Sequence, residues 1–140
     1  RRIGRLFPAV YGAGDVGRLA ARRWKQQCNV NAKAPALWGA LPDVFHDEVA
    51  GFGQHGDVTR QVLCAVLLRH DHEPAAADAQ FAALDDILVE SVAAVHEVRA
   101  AGDGPLAQLL DLAFFGDVVS LELAAQEGLD PGPAPALHGS

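Results

Sequence analysis

The sequence contains no methionine, only 6% aromatic residues and only two cysteines, and its hydroxyl groups are limited to Thr59, Ser91, Ser120, Ser140 and Tyr11. Each shortage excludes something. Two cysteines without Cys-x-x-Cys spacing make no disulfide scaffold, and Cys28 and Cys64, set inside apolar strings, read as buried, reduced thiols of a reducing compartment. With so few hydroxyls there is neither a nucleophile elbow nor a Ser/Thr-rich loop able to cradle a monophosphate. Long apolar runs are also missing. The longest, Val62 to Leu68, falls far short of the roughly 20 residues a membrane span needs, and the apolar region 106–125 is broken by Asp111, Asp117 and Glu122. No transmembrane helix is expected. The lack of methionine and the opening Arg1-Arg2-Ile3-Gly4-Arg5, which reads as a linker from a preceding domain, lead to the expectation that the chain is part of a longer protein.

What is present suits one compact domain: 140 residues, half of them apolar and 21% charged. The net charge of −7 hides an asymmetry, since residues 1–33 hold eight Lys/Arg against one Asp, and residues 34–140 hold three Arg against seventeen acids. The basic segment falls on a predicted helix that also carries core positions, and the acidic remainder repels polyanions. Nucleic acid is therefore not expected as a partner, and a cytoplasmic location is inferred from the class alone.

The order of elements predicts an α/β fold. Leu6–Tyr11 reads as a strand, followed by a Gly12–Asp15 turn with Asp15 as helix N-cap. A helix to about Asn31 follows, with Val16, Leu19, Ala20, Trp24 and Cys28 recurring at the helical period. Pro35 and Pro42 frame a short helix over Ala36–Ala40, with another beginning at Asp43. A connector over Gly51–Asp57 leads to a doubly buried strand at Gln61–Leu68, a helix at Ala75–Glu90, a strand at Val92–Val98 and a turn at Gly102–Pro105. The longest helix runs from Pro105 to Glu127 and is apolar on more than one face, so it is expected to pack on the sheet and also on a second domain or subunit. Three strands alternating with helices imply a small parallel sheet covered on both sides.

Two constellations invite chemistry and have plainer readings. Gly12-Ala13-Gly14-Asp15-Val16-Gly17 satisfies the GxGxxG spacing that seats a pyrophosphate on a helix N-terminus. The chain then stays helical where a dinucleotide fold needs a second strand, and Asp15 places a carboxylate where phosphate belongs, so a strand-to-helix turn without a cofactor is the expectation. His70-Asp71-His72-Glu73 has the composition of a zinc cluster, but alternate residues of an extended stretch supply only two ligands. It reads as a solvated loop, with no metal expected. His96 reads as a satisfied core or interface group, and His55 and His138 as loop residues.

The more specific signal combines Arg23-Trp24-Lys25 and Asn29-Val30-Asn31-Ala32-Lys33 with Leu41-Pro42-Asp43-Val44-Phe45-His46-Asp47-Glu48 and Gly116-Asp117-Val118-Val119-Ser120. In order and spacing these resemble the C-terminal domain of bifunctional phosphoglucose/phosphomannose isomerases, proteins of two sugar-isomerase (SIS) domains, from about Phe7 to Pro131. The resemblance implies a three-layer α/β/α SIS domain over residues 6–131, forming the second half of a two-SIS-domain protein, with an extended tail over 132–140. It also implies a homodimer acting without a cofactor on hexose 6-phosphates, interconverting fructose 6-phosphate with glucose or mannose 6-phosphate through an enediol. On this pattern His46 is the ring-opening imidazole, contributed across the dimer interface. Asn29, Asn31, Lys33, Glu48 and Arg23 are the implied substrate-binding residues, and the N-terminal SIS domain supplies the phosphate-binding hydroxyls. The family's catalytic base, the Glu of Asn-Glu-Asn, falls on Val30, which cannot accept a proton, and residues 132–140 lack the lysine of the family's C-terminal helix. General-base catalysis contributes about 10² to 10⁴ in rate. Three readings follow: an isomerase using another base, a sugar-phosphate-binding domain without chemistry, and a regulatory or dimerisation unit built on the last helix. In the plainest reading of the two cations, Lys33 caps a helix C-terminus and Arg23 pairs with an acidic surface.

Overall fold

The computed structural model describes residues 6–46 and 56–126. Strand β1 (Phe7–Ala13) leads into helix α1 (Gly14–Asn31), then strand β2 (Leu37–Leu41) and a 3-10 turn (Asp43–His46). After the segment outside the described residues come α2 (Gly56–Val62), β3 (Leu63–Arg69), α3 (Ala77–Ser91), β4 (Ala94–Arg99) and α4 (Pro105–Gln126). All strand pairings are parallel, in the order β2-β1-β3-β4. Helices α1 and α4 cover one face, where Trp24 and Leu112 pack on Val10, Val66 and Leu68. Helix α3 and the 3-10 turn cover the other, with Phe81, Leu84, Leu88 and Val44 on Tyr11, Ala65 and Leu67. The result is the expected three-layer α/β/α arrangement, and the central strands β1 and β3 are buried on both faces, as parallel strands between helical layers must be.

Several expectations need correction. Ala36–Ala40 is not a helix: Leu37–Leu41 forms the edge strand β2, paired in register with Ala9–Ala13, so the sheet has four strands. Five residues between prolines carry too little periodicity to announce a strand, and the partner β1 supplies the missing order. Gln61 and Val62 close α2 rather than open β3. Asp15 does not cap α1. Strand β1 continues through Gly12 and Ala13, Ala13 takes the N-cap position without a side-chain hydrogen bond, and Asp15 stays exposed beside Arg18. His96 is exposed on the edge strand β4 and is no core residue. The expected end of the last helix at Glu127, and the tail over 132–140, lie outside the described residues. No helix among the described residues is long and apolar enough to cross a membrane.

Candidate functional site

The last turn of α1 carries the Asn29-Val30-Asn31 triplet, and both asparagines are committed to the fold. Asn29 Nδ2 donates to the Ala34 carbonyl at 2.9 Å and its Oδ1 accepts from Lys25 Nζ at 2.7 Å, tying the helix to the segment that enters β2. Asn31 Nδ2 donates to Ser120 Oγ at 2.9 Å, tying the same turn to α4. Between them Val30 points outward, 40% exposed. The chain leaves the helix through Lys33, which takes a left-handed backbone (φ 52°) that costs a non-glycine residue about 1–2 kcal/mol. Around that bend the Ala32 and Ala34 N–H groups both reach the Cys28 carbonyl, and Lys33 Nζ donates to the Val30 carbonyl at 2.7 Å. An ammonium therefore sits beside position 30 at the negative end of the helix dipole, as the capping reading anticipates.

Upstream, Arg23, Gln27 and Asn31 recur every four residues and meet Asp117 and Ser120 of α4. The Arg23 guanidinium lies 3.2 Å from Asp117 Oδ2, Gln27 Nε2 donates to Asp117 Oδ1 at 2.8 Å, and the Ser120 hydroxyl donates to the Asp117 carbonyl. Arg23 is thus paired with an acidic side chain, as the plainer reading of that cation anticipates. Beneath this seam Trp24 Nε1 donates to the Leu112 carbonyl at 2.8 Å and its ring stacks on Phe115. Only glycine fits at 116, since a Cβ there would stand 2.6 Å from Trp24 Cδ1. The seam was missed in the sequence reading, although the i, i+4, i+8 spacing on α1 opposite an i, i+3 pair on α4 is a signal for it. His46 ends the 3-10 turn; Glu48 lies outside the described residues.

The two other constellations turn out to be structural. A Cβ at Gly12 would lie 2.3 Å from the Gly17 carbonyl oxygen, and Gly14 has φ +70°, so the glycine spacing serves strand-to-helix packing and a tight turn. The histidine loop is solvated only in part: Asp71 and His72 are exposed, but His70 is only 2% exposed. Its Nε2 lies 2.8 Å from the Ala13 carbonyl oxygen and its Nδ1 3.1 Å from the His72 N–H, and the ring fills the crevice between the carboxyl ends of β1 and β3. Parallel sheets bind ligands at such a crevice, and here an imidazole occupies it. Glu73 accepts hydrogen bonds from both Nε and Nη2 of Arg69, and both side chains are 8% exposed. Arg69 also bonds Asp78 and lies over the Phe81 ring at 4.2 Å. Hydrogen bonding to Glu73, then to Asp78, holds its pKa above the ordinary arginine value despite burial. Beside it a groove of about 440 Å³ opens between α3 and β4, on the opposite face of the sheet from α1. Among the described residues no group of three or more His, Cys, Asp or Glu side chains is placed to hold a metal ion.

Comparison with known proteins agrees with the motif resemblance. The chain is 29% identical over 128 residues to a bifunctional phosphoglucose/phosphomannose isomerase of Caldicellulosiruptor bescii, covering 91% of this chain and 37% of that protein. It is 30% identical over 139 residues to the protein so named from Aquifex aeolicus, covering 98% and 42%. It thus spans about two fifths of the length of these relatives. Among solved structures, a glucose-6-phosphate isomerase-like protein from Thermus thermophilus superposes with a TM-score of 0.75 at 26% identity, over 95% of this chain and 43% of that one. A glucosamine-6-phosphate deaminase from Thermotoga maritima shares the fold alone, with a TM-score of 0.61 at 8% identity over 96% and 40% of the two chains. Residues 1–139 match the bacterial phospho-glucose isomerase C-terminal SIS domain, and the chain belongs to that family.

Proposed function

We propose that this chain is the C-terminal half of a cytoplasmic, homodimeric protein that binds hexose 6-phosphates, and that it has kept the family's pocket while losing the family's base. In this reading residues 6–131 are the SIS domain, 1–5 the linker from an N-terminal SIS domain that holds the phosphate, and 132–140 an extended tail. By the family pattern His46 would open the sugar ring, and Asn29, Asn31, Lys33, Glu48 and Arg23 are the positions assigned to the substrate. The observation that carries the reading is the end of α1. Two hydrogen-bonded asparagines hold position 30 outward, Lys33 places an ammonium beside it, and the side chain there is an apolar valine. An ammonium at that place favours an anionic sugar and would keep a carboxylate at position 30 ionised, as a proton-abstracting base must be.

The test is NMR of fructose 6-phosphate in D₂O with the full-length protein and its Val30→Glu variant. The expected result is ligand binding with neither deuterium exchange nor new aldose signals for the unmodified protein, and exchange gained in Val30→Glu. Exchange by the unmodified protein would overturn the loss of catalysis and point to another base. Absence of binding in both would favour the second reading, a regulatory or dimerisation domain, which the broad apolar face of α4 supports.

A further inference from the structure

We infer that the groove between α3 and β4 is a docking site for an arginine-bearing segment of another protein. The groove lies on the face of the sheet opposite α1 and includes none of the positions assigned to the sugar phosphate. One wall is α3, which carries Asp78, Asp85, Asp86 and Glu90 and no Lys or Arg. The other is the edge strand β4, where the pairs Ala65–Val95 and Leu67–Glu97 put Val95 and Glu97 on the same side as the core residues of β3. Arg99, the next residue on that side, is turned to Asp71 and does not line the groove. Phe81, Ala82 and Val95 give the groove an apolar lining between its charged rims.

Two groups lining the groove are left incomplete by the chain itself. The Arg69 side chain is only 8% exposed, and its Nε and Nη2 are taken by Glu73 and Asp78. Its Nη1 makes no hydrogen bond among the described residues and stands 3.9 Å from Glu97 Oε1. Guanidinium N–H groups so far withdrawn from water call for an acceptor. Asp85, half-buried on the opposite wall, has neither a hydrogen bond nor an ion pair among the described residues. Glu73 balances the charge of Arg69, so Asp78, Asp85 and Glu97 leave the groove negative. A fitting ligand brings a cation to the carboxylates, an oxygen to Nη1 and an apolar stem to the lining. An arginine within a peptide has all three: its planar fork donates to carboxylates on both walls, its methylenes cover Phe81 and Val95, and the neighbouring peptide carbonyls offer Nη1 an acceptor. The groove's volume of about 440 Å³ suits such an anchor, and its charge turns away anions.

The experiment is fluorescence anisotropy on the full-length protein with a labelled acetyl-Ala-Arg-Val-Arg-Ala-amide peptide, beside the same peptide with uncharged, isosteric citrulline for arginine. The variants are Asp85→Asn, Ala82→Trp and Asp86→Asn, each checked for native circular dichroism. Ala82 and Asp86 are both exposed on α3, but only Ala82 lines the groove, so Asp86→Asn is the charge control. The expected result is saturable binding that weakens as salt is raised, falls about tenfold for the citrulline peptide and for Asp85→Asn, is lost when Ala82→Trp fills the groove, and is unchanged in Asp86→Asn. No saturable binding of the arginine peptide, or equal binding of its citrulline form, would overturn the site. Equal weakening by Asp85→Asn and Asp86→Asn, with Ala82→Trp without effect, would show attraction to an acidic surface at large and overturn the groove as its seat.

Discussion

Two polar clusters stand out in this sequence, and they do opposite things. After β3, His70-Asp71-His72-Glu73 has the composition of a metal cluster and reads as a solvated loop, yet His70 and Glu73 join Arg69 in a buried knot in which each group has a partner. At the end of α1, Asn29 and Asn31 tie the last turn to Ala34 and Ser120, leaving the one apolar member of the triplet, Val30, exposed. The number of chemically capable side chains is therefore a poor guide to a site. In the first cluster polar groups consume one another; in the second they aim a position outward, and what that position can do depends on the residue placed there.

The contrast can be broken most severely at the knot. Glu73→Ala leaves the Arg69 guanidinium buried without its bidentate partner, and the expected loss is about 3–5 kcal/mol in urea unfolding. A loss below about 1 kcal/mol would mean Asp78 alone satisfies Arg69. Between the regions, Gly116→Ala pushes a methyl into the Trp24 ring; a cost of about 1–3 kcal/mol is expected, although alanine is the better helix former by about 1 kcal/mol. The measurement is the thermal midpoint together with near-UV circular dichroism from Trp24. Asn31→Ala removes one partly buried hydrogen bond to Ser120, and about 1 kcal/mol is expected, readable as faster amide exchange in the last turn of α1. Val30→Glu is the smallest change. The site is exposed, and the unfavourable carboxylate at a helix C-terminus is offset by Lys33, so calorimetry should find less than about 1 kcal/mol. A larger loss would show that Val30 packs on something beyond this chain.

Legibility followed the range of the interactions. The period of α1, with Ala20, Trp24 and Cys28 inward, and the doubly apolar β3 are local patterns, and both were readable. Strand β2 was misread as a helix because Leu37–Leu41 owes its conformation to pairing with Ala9–Ala13, nearly thirty residues away. The candidate site was readable only by likeness of motif, since nothing local distinguishes Asn29-Val30-Asn31 from any polar helix end. The partners of those asparagines, Ala34 and Ser120, show how unequal the ranges are: one lies five residues off, the other eighty-nine.

The sequence by itself determined the alternation of helices and strands, the apolar excess of the last helix and the valine at position 30, because each is written in the order of side chains. Tertiary structure decided that His70 fills the crevice between the carboxyl ends of the two central strands, that Arg23 answers Asp117, and that α4 turns its larger apolar row away from the core. Each of these depends on which remote group reaches a given side chain first, and burial and hydrogen bonding settle that only when the chain is closed on itself.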